Sequence, residues 1–194
     1  TNGLKLEFGN TESYLELLKN IVKQENDFYT ALAKGVEYAS SKYGGREFSL
    51  AFGKNEMPGY HTGPAAYLGY IIGTRHSHLD NAGYSVDQKE LIHEYVAPEK
   101  VIDKLVAEEA FRQILSSLVI CFFARGIYKK DVILETLETV GMKMTIEELD
   151  EVAEEIFKLK YQFKFREGFR FEDQEIPERI TETKDPTGLI TKEY

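Results

Sequence analysis

The chain has 194 residues, 42% hydrophobic and 29% charged, with 33 acidic against 24 basic side chains and a formal net charge of −9. That length holds one sizeable core, or a small domain joined to a larger one, and the composition is that of a folded soluble protein rather than a disordered one. The acidic balance excludes nucleic acid as an expected partner, because binding it needs clustered Lys and Arg; the single cysteine, Cys121, excludes an internal disulfide framework and suits a reducing compartment, the cytoplasm.

In chain order, Asn10 or Thr11 is placed to cap a helix through ESYLELLKNIVKQ, with Leu15, Leu18, Ile21 and Val22 at helical spacing. Asp27 opens a second helix, DFYTALAKGVEYASSKYGG, with Phe28, Leu32, Val36 and Ala39 on one stripe and Gly44 and Gly45 as its stop; the two predict a helical hairpin. The apolar run 48–52 followed by Pro58 and Gly59 predicts an extended segment and a turn, and PAAYLGYIIG a short helix with Pro64 in its first turn. Residues 86–96 are moderately helical. The longest pattern runs from Glu99 to about Arg125, through Val101, Leu105, Ala110, Ile114, Leu118 and Cys121 or Phe122. Its most apolar part, LVICFFA, is far shorter than the roughly 20 residues of a membrane helix, so no span is expected. A helix over 130–140 puts Ile133, Leu134, Leu137 and Val140 inward. Thr145 and Glu148 then form a capping box ahead of a stripe of Leu149, Val152, Ile156, Leu159 and Phe163. From Phe169 the pattern gives way to an irregular surface tail. The sum is a mainly α protein, an irregular bundle of about seven helices, without the strand and helix alternation of a parallel sheet.

Between the third and fourth helices lies GTRHSHLDNAGYS, which holds Arg75, His76, His78 and Asp80 between Gly73 and Gly83. If this stretch is extended, His76, His78 and Asp80 point to one side, and two imidazoles with a carboxylate make a simple metal-binding module. Histidine is also the side chain best matched to proton transfer near neutral pH. A polar turn explains the same residues with no function at all, and the spacing leaves all three readings open. Cys121, inside an apolar run, reads as a core residue. The alternative is a thiolate ligand to a metal cluster, but an iron–sulfur site normally takes several cysteines. His61, in PGYHTGP, receives no role. The acidic run EELDEVAEE is the solvated face of an amphipathic helix, with Glu154 and Lys158 as an i, i+4 pair.

Several segments, in order and over nearly the whole chain, resemble the C-terminal portion of the aldehyde ferredoxin oxidoreductase family, tungsten or molybdenum pterin enzymes that oxidise aldehydes to acids. GLKLEFGN and DFYTALAKGV are similar to that family's G-L-x-L-x-F-G and L-L-A-x-G-V passages. EMPGYHTGPAAYLGYIIGTRHSH resembles its E-x-P-x-Y-D-P-R-x-x-x-G stretch followed by R-G-x-x-H. SSLVICFFARGIY stands where the family carries D-x-x-G-L-C, and EELDEVAEEIFKLKYQFKFREGFRFEDQEIPERI resembles its E-R-I-x-N-L-x-R-x-F-N-x-R-E-G-F and D-D-x-L-P-x-R-F passage.

The resemblance implies that residues 1–62 are the end of the family's middle domain, a helical hairpin with an extended segment, and that residues 63–194 are its C-terminal helical domain with an irregular tail. It implies that Arg75 contacts the pterin, that Ile120 offers its backbone to it, and that Ser116 stands where an aspartate contacts it. It further implies that His78 is the histidine beside the metal, a proton shuttle, and that Cys121 is the fourth ligand of a 4Fe–4S cluster whose other cysteines lie in an earlier segment. Three departures are visible. Ser116 and Val119 replace the Asp and Gly of D-x-x-G-L-C, Asp80 stands where a basic residue is usual, and the Arg75-to-His78 spacing is one residue short, so that either His76 or His78 fits the catalytic place. The expected whole is a C-terminal fragment or subunit that works with a missing N-terminal domain, an aldehyde and ferredoxin, with a homodimer as the assembly to test for. Alone it is expected to be inactive and to hold neither tungstopterin (or molybdopterin) nor cluster. The competing expectation from another class is a noncatalytic helical interaction domain derived from the same family.

Overall fold

The computed structural model describes residues 3–190, a mainly α protein with nine α-helices and one two-stranded sheet among those residues. None of its helices is long and apolar enough to cross a membrane. The contact pattern divides the chain into two compact units, Thr1–Glu56 with Ile176–Ile180, and Met57–Glu175 with Thr181–Tyr194. The last residues of the expected tail, 191–194, lie outside the described residues.

In the first unit, α1 (Thr11–Lys23) is capped by Asn10, whose side chain accepts from the Ser13 N–H at 3.3 Å. Of its expected apolar stripe only Ile21 turns inward. Leu15, Leu18 and Val22 are exposed, and Ser13 with half-buried Leu17 and Ile21 faces inward. The single helix expected from Asp27 is two, α2 (Asp27–Ala33) and α3 (Val36–Tyr43). Gly35, at φ +96°, takes the chain out of the right-handed region and interrupts the helical ladder there. Asn26, rather than Asp27, is the cap of α2, accepting from the Phe28 and Tyr29 N–H groups. The extended segment is a short hairpin of β1 (Ala51–Phe52) and β2 (Asn55–Glu56), with Ala51 opposite Glu56.

The second unit begins with α4 (Pro64–Ile72), whose Pro64 sits in the first turn as its fixed φ allows. Two one-turn helices follow, α5 (His78–Asn81) and α6 (Gly83–Val86), then a π-helical turn over Asp87–Leu91. Gly83 is there because of proximity: a Cβ at this position would lie 2.0 Å from the Ala65 carbonyl oxygen of α4. Asp87, fully buried, caps α4 from across the turn, accepting from the Ala65 and Ala66 N–H groups and the Thr62 hydroxyl, each at 2.9 Å. Next come α7 (Pro98–Ser117), α8 (Lys130–Thr139) and α9 (Ile146–Arg166), the last entered through the expected capping box of Thr145 and Glu148.

Helix α7 is the spine of this unit. Val101 and Leu105 pack with Ala65 of α4 and Leu91, while Ala110, Ile114 and Leu115 pack with Ile133 of α8 and Leu149 and Ala153 of α9. It ends at Ser117, not near Arg125 as the apolar pattern predicts. Val119 adopts φ +58°, its N–H donating to the Ser116 carbonyl and the Ile120 N–H to the Leu115 carbonyl, a Schellman stop. Leu118, Val119 and Phe123 of the apolar run therefore face solvent. The tail is likewise less superficial than its composition predicts, since Pro177, Ile180 and Asp185 are buried.

Candidate functional site

The stretch GTRHSHLDNAGYS is a folded turn rather than an extended segment. His76 takes the left-handed conformation at φ +54°, and Ser77 then caps α5 in a capping box with Asp80. This geometry sends the three expected metal ligands to different places. Among the described residues no group of three or more His, Cys, Asp and Glu side chains is arranged to hold a metal ion.

Asp80 is buried and satisfied within the turn. It accepts from the Arg75 backbone N–H at 2.8 Å and from Arg75 Nε at 2.7 Å, and its other ion-pair contact, to Arg75 Nη2, is also 2.7 Å. A carboxylate and guanidinium so matched are strongly oriented. The reversed charge noted at this position is thus spent on Arg75. His76 turns inward: Nδ1 lies 2.6 Å from the Tyr70 carbonyl and Nε2 lies 3.1 Å from Lys164 Nζ. One ring nitrogen donates and the other accepts, which fixes the neutral tautomer. Burial, then the Lys164 charge, lowers its pKa. His78 faces Tyr60 and Tyr84, with ring centroids 5.1 and 6.1 Å away, and its pKa is lowered by burial. Its ring nitrogens make no hydrogen bond among the described residues, so of the two histidines it is the one left able to take a proton.

Behind the turn lies a buried polar layer that residue spacing did not reveal. Glu109 of α7 accepts from the Thr74 N–H at 2.7 Å and from the Asn81 amide at 3.3 Å, and burial raises its pKa. Arg112, also buried, pairs with Glu108 at 2.7 Å, donates to the Leu79 carbonyl at 2.5 Å and lies over the Phe122 ring. These contacts fix α5 against α7 and tie both to the residue after Cys121. The signal available in the sequence was a charged residue at a core register: Glu109 follows Leu105 by one helical turn on the buried face.

An open groove of about 580 Å³ runs between this turn and the end of α7. Its lining brings together Arg75, Ser116, Ile120 and Cys121, along with Tyr84 and Arg125. Cys121 is exposed, which corrects its reading as a core residue; the stop of α7 at Ser117 carries it out of the apolar face. Ser116 is half-buried, and the Ile120 N–H is committed to the Leu115 carbonyl, so its carbonyl is the backbone group it has to offer. His78 does not line the groove, although Ser77 and Leu79 on either side of it do. His61, given no role, holds Tyr67 through Nδ1 at 2.5 Å and the Thr183 carbonyl through Nε2 at 2.7 Å, a structural tie for the tail.

Two positive-φ residues of the site, His76 and Val119, stand where the family's motif forms carry glycine; a third, Ala82, does not. No curated protein and no solved structure matches the chain significantly. The family model described as aldehyde ferredoxin oxidoreductase, domains 2 and 3, matches residues 1–193. With that match over nearly the whole chain, the chain belongs to the aldehyde ferredoxin oxidoreductase family and carries its domains 2 and 3.

Proposed function

We propose that this chain forms one wall of the cofactor chamber of an enzyme that oxidises aldehydes to carboxylic acids and passes the electrons to ferredoxin, acting with the family's N-terminal cofactor-binding domain in the cytoplasm. The observation that carries the reading is the groove itself, where Arg75, Ser116, Ile120 and Cys121 meet although they come from two elements some forty residues apart in the sequence.

The donor set of these residues fits its share of the expected groups. Cys121 presents an exposed thiol, the geometry of one ligand in a cluster whose other three thiolates come from elsewhere. Arg75, half exposed and braced by Asp80, would hold the pterin by hydrogen bonds from a guanidinium that cannot swing away. Ser116 offers a hydroxyl and Ile120 a carbonyl. When bound, the pterin-held tungsten or molybdenum supplies two-electron redox chemistry and the cluster a one-electron relay. His78, kept neutral by burial, takes the proton that the aldehyde hydrate gives up, and its tilted ring contacts with Tyr60 and Tyr84 hold the ring in place.

The test uses the complete assembly, purified anaerobically and assayed for aldehyde-dependent reduction of a viologen dye. His78→Ala should lower turnover by about 10²- to 10⁴-fold, and Cys121→Ser should remove or alter the cluster's paramagnetic resonance signal. Unchanged turnover in the first and an unchanged signal in the second would refute these roles. The Arg75–Asp80 pair also favours a second reading, a noncatalytic domain whose cofactor-facing cation is internally neutralised; an assembly without any aldehyde-dependent activity would support it.

A further inference from the structure

Helix α9 is only partly covered by the core it helps to build. Leu149 and Ala153 are buried, but farther along the same helix Leu159 and Phe163 are exposed. With Ile156 they form the apolar wall of a second open groove of about 400 Å³, closed on its other side by Thr74 and by Arg75, which borders both grooves. Lys160 and Lys164 stand at that wall.

Both ammonium groups are half-buried, and their direct partners are neutral. Lys160 donates to Gln113 Oε1; Lys164 donates to the Gly73 carbonyl at 3.1 Å, meets His76 Nε2 and lies 3.7 Å from the centroid of the Phe169 ring. Neither forms an ion pair with a carboxylate among the described residues. The nearest acids are already engaged, Asp80 with Arg75 and Glu109 with Thr74 and Asn81. Three cations thus share two buried carboxylates, in a chain that is otherwise strongly acidic. Half-buried positive charge in excess of the carboxylates that face it is costly. Burial accordingly lowers the pKa of both lysines, that of Lys164 to about 8.

We propose that this groove binds an organic monocarboxylate with an apolar tail, its carboxylate bridging Lys160 and Lys164 and its hydrocarbon lying along Ile156, Leu159 and Phe163. One negative charge balances the local excess, and two acceptor oxygens suit two donors one helical turn apart. The size is that of small-molecule clefts, which combine an apolar lining with a few placed polar groups. The site needs neither pterin nor cluster, so it stands or fails independently of the catalytic reading.

The chain alone, with ¹³C-labelled lysine, is titrated with sodium octanoate at pH 7.5, and in parallel with inorganic phosphate and with octanol. Saturable shifts of the Lys160 and Lys164 side-chain resonances are expected with octanoate. Affinity should fall about tenfold or more in Leu159→Ser and be lost in Lys160→Met. Leu159 is exposed, so its replacement leaves the fold intact. Unmoved lysine resonances would overturn the proposal, as would phosphate or octanol binding as tightly as octanoate, or octanoate binding to Leu159→Ser as it does to the parent chain.

Discussion

Val119 holds a β-branched side chain at φ +58°, in the C′ position where a helix stop ordinarily takes glycine. A left-handed conformation costs a non-glycine residue roughly 1–2 kcal/mol, more than the entropy glycine would forfeit. The side chain is 91% exposed and recovers nothing by packing. Val119→Gly should therefore raise the unfolding free energy by about 1 kcal/mol in urea titrations. This one residue also explains why the end of α7 was illegible. The apolar run from Leu118 to Ala124 continues the helical period, and no glycine or proline announces the stop before Gly126. The exposure of Cys121 follows from it. By contrast, Arg75, Ser116, Ile120 and Cys121 were singled out through motif resemblance, while nothing in the spacing singled out Lys160 and Lys164. Their placement beside the apolar stripe of α9 was the overlooked sign.

At the scale of elements, the starts of the longer helices were legible from their punctuation: Asn10 before α1, Pro64 in α4, Pro98 in α7, and Thr145 with Glu148 before α9. The short ones were not. Helices α5 and α6 are one turn each, held by the local Ser77–Asp80 capping box and by tertiary contacts, the Arg112 bond to the Leu79 carbonyl and the Gly83 approach to α4. The cap of α4 yields a pH prediction. Asp87 is engaged by three donors, but burial dominates and raises its pKa from 3.8 to about 6. A carboxyl whose folded pKa lies above its unfolded value binds its proton more readily in the native state. Its contribution to stability is therefore complete below about pH 4 and is lost as the pH rises through 6. Between those limits acidification should favour the folded chain by at most about 3 kcal/mol through this group. Urea unfolding at pH 4 and pH 7 should show that gain in the parent chain and its absence in Asp87→Asn; equal pH slopes would contradict it.

At the scale of the whole molecule, α7 joins two apolar clusters, and a polar layer of Glu109, Arg112 and Gln113 lies along it between and beside them. Composition predicted a core of adequate size and periodicity a mainly α architecture, but no periodicity predicts a layer of charge inside it. Glu109 is its centre. Glu109→Ala leaves the Thr74 N–H and the Asn81 amide without their acceptor, at a cost of about 3 kcal/mol. Glu109→Gln, which keeps one acceptor oxygen and removes a buried charge, should cost less; a larger loss for Gln than for Ala in denaturant unfolding would show that the carboxylate is needed as an ion.

Cys121 is the sole sulfhydryl in the chain; it is exposed, and it borders the groove that also holds Arg75 and Ser116. A maleimide dye or nitroxide therefore attaches at one address without any engineering of the sequence. Its fluorescence or line shape reports the arrival of a neighbouring domain at that groove, and a residue read first as part of the core doubles as a built-in optical or magnetic beacon for assembly.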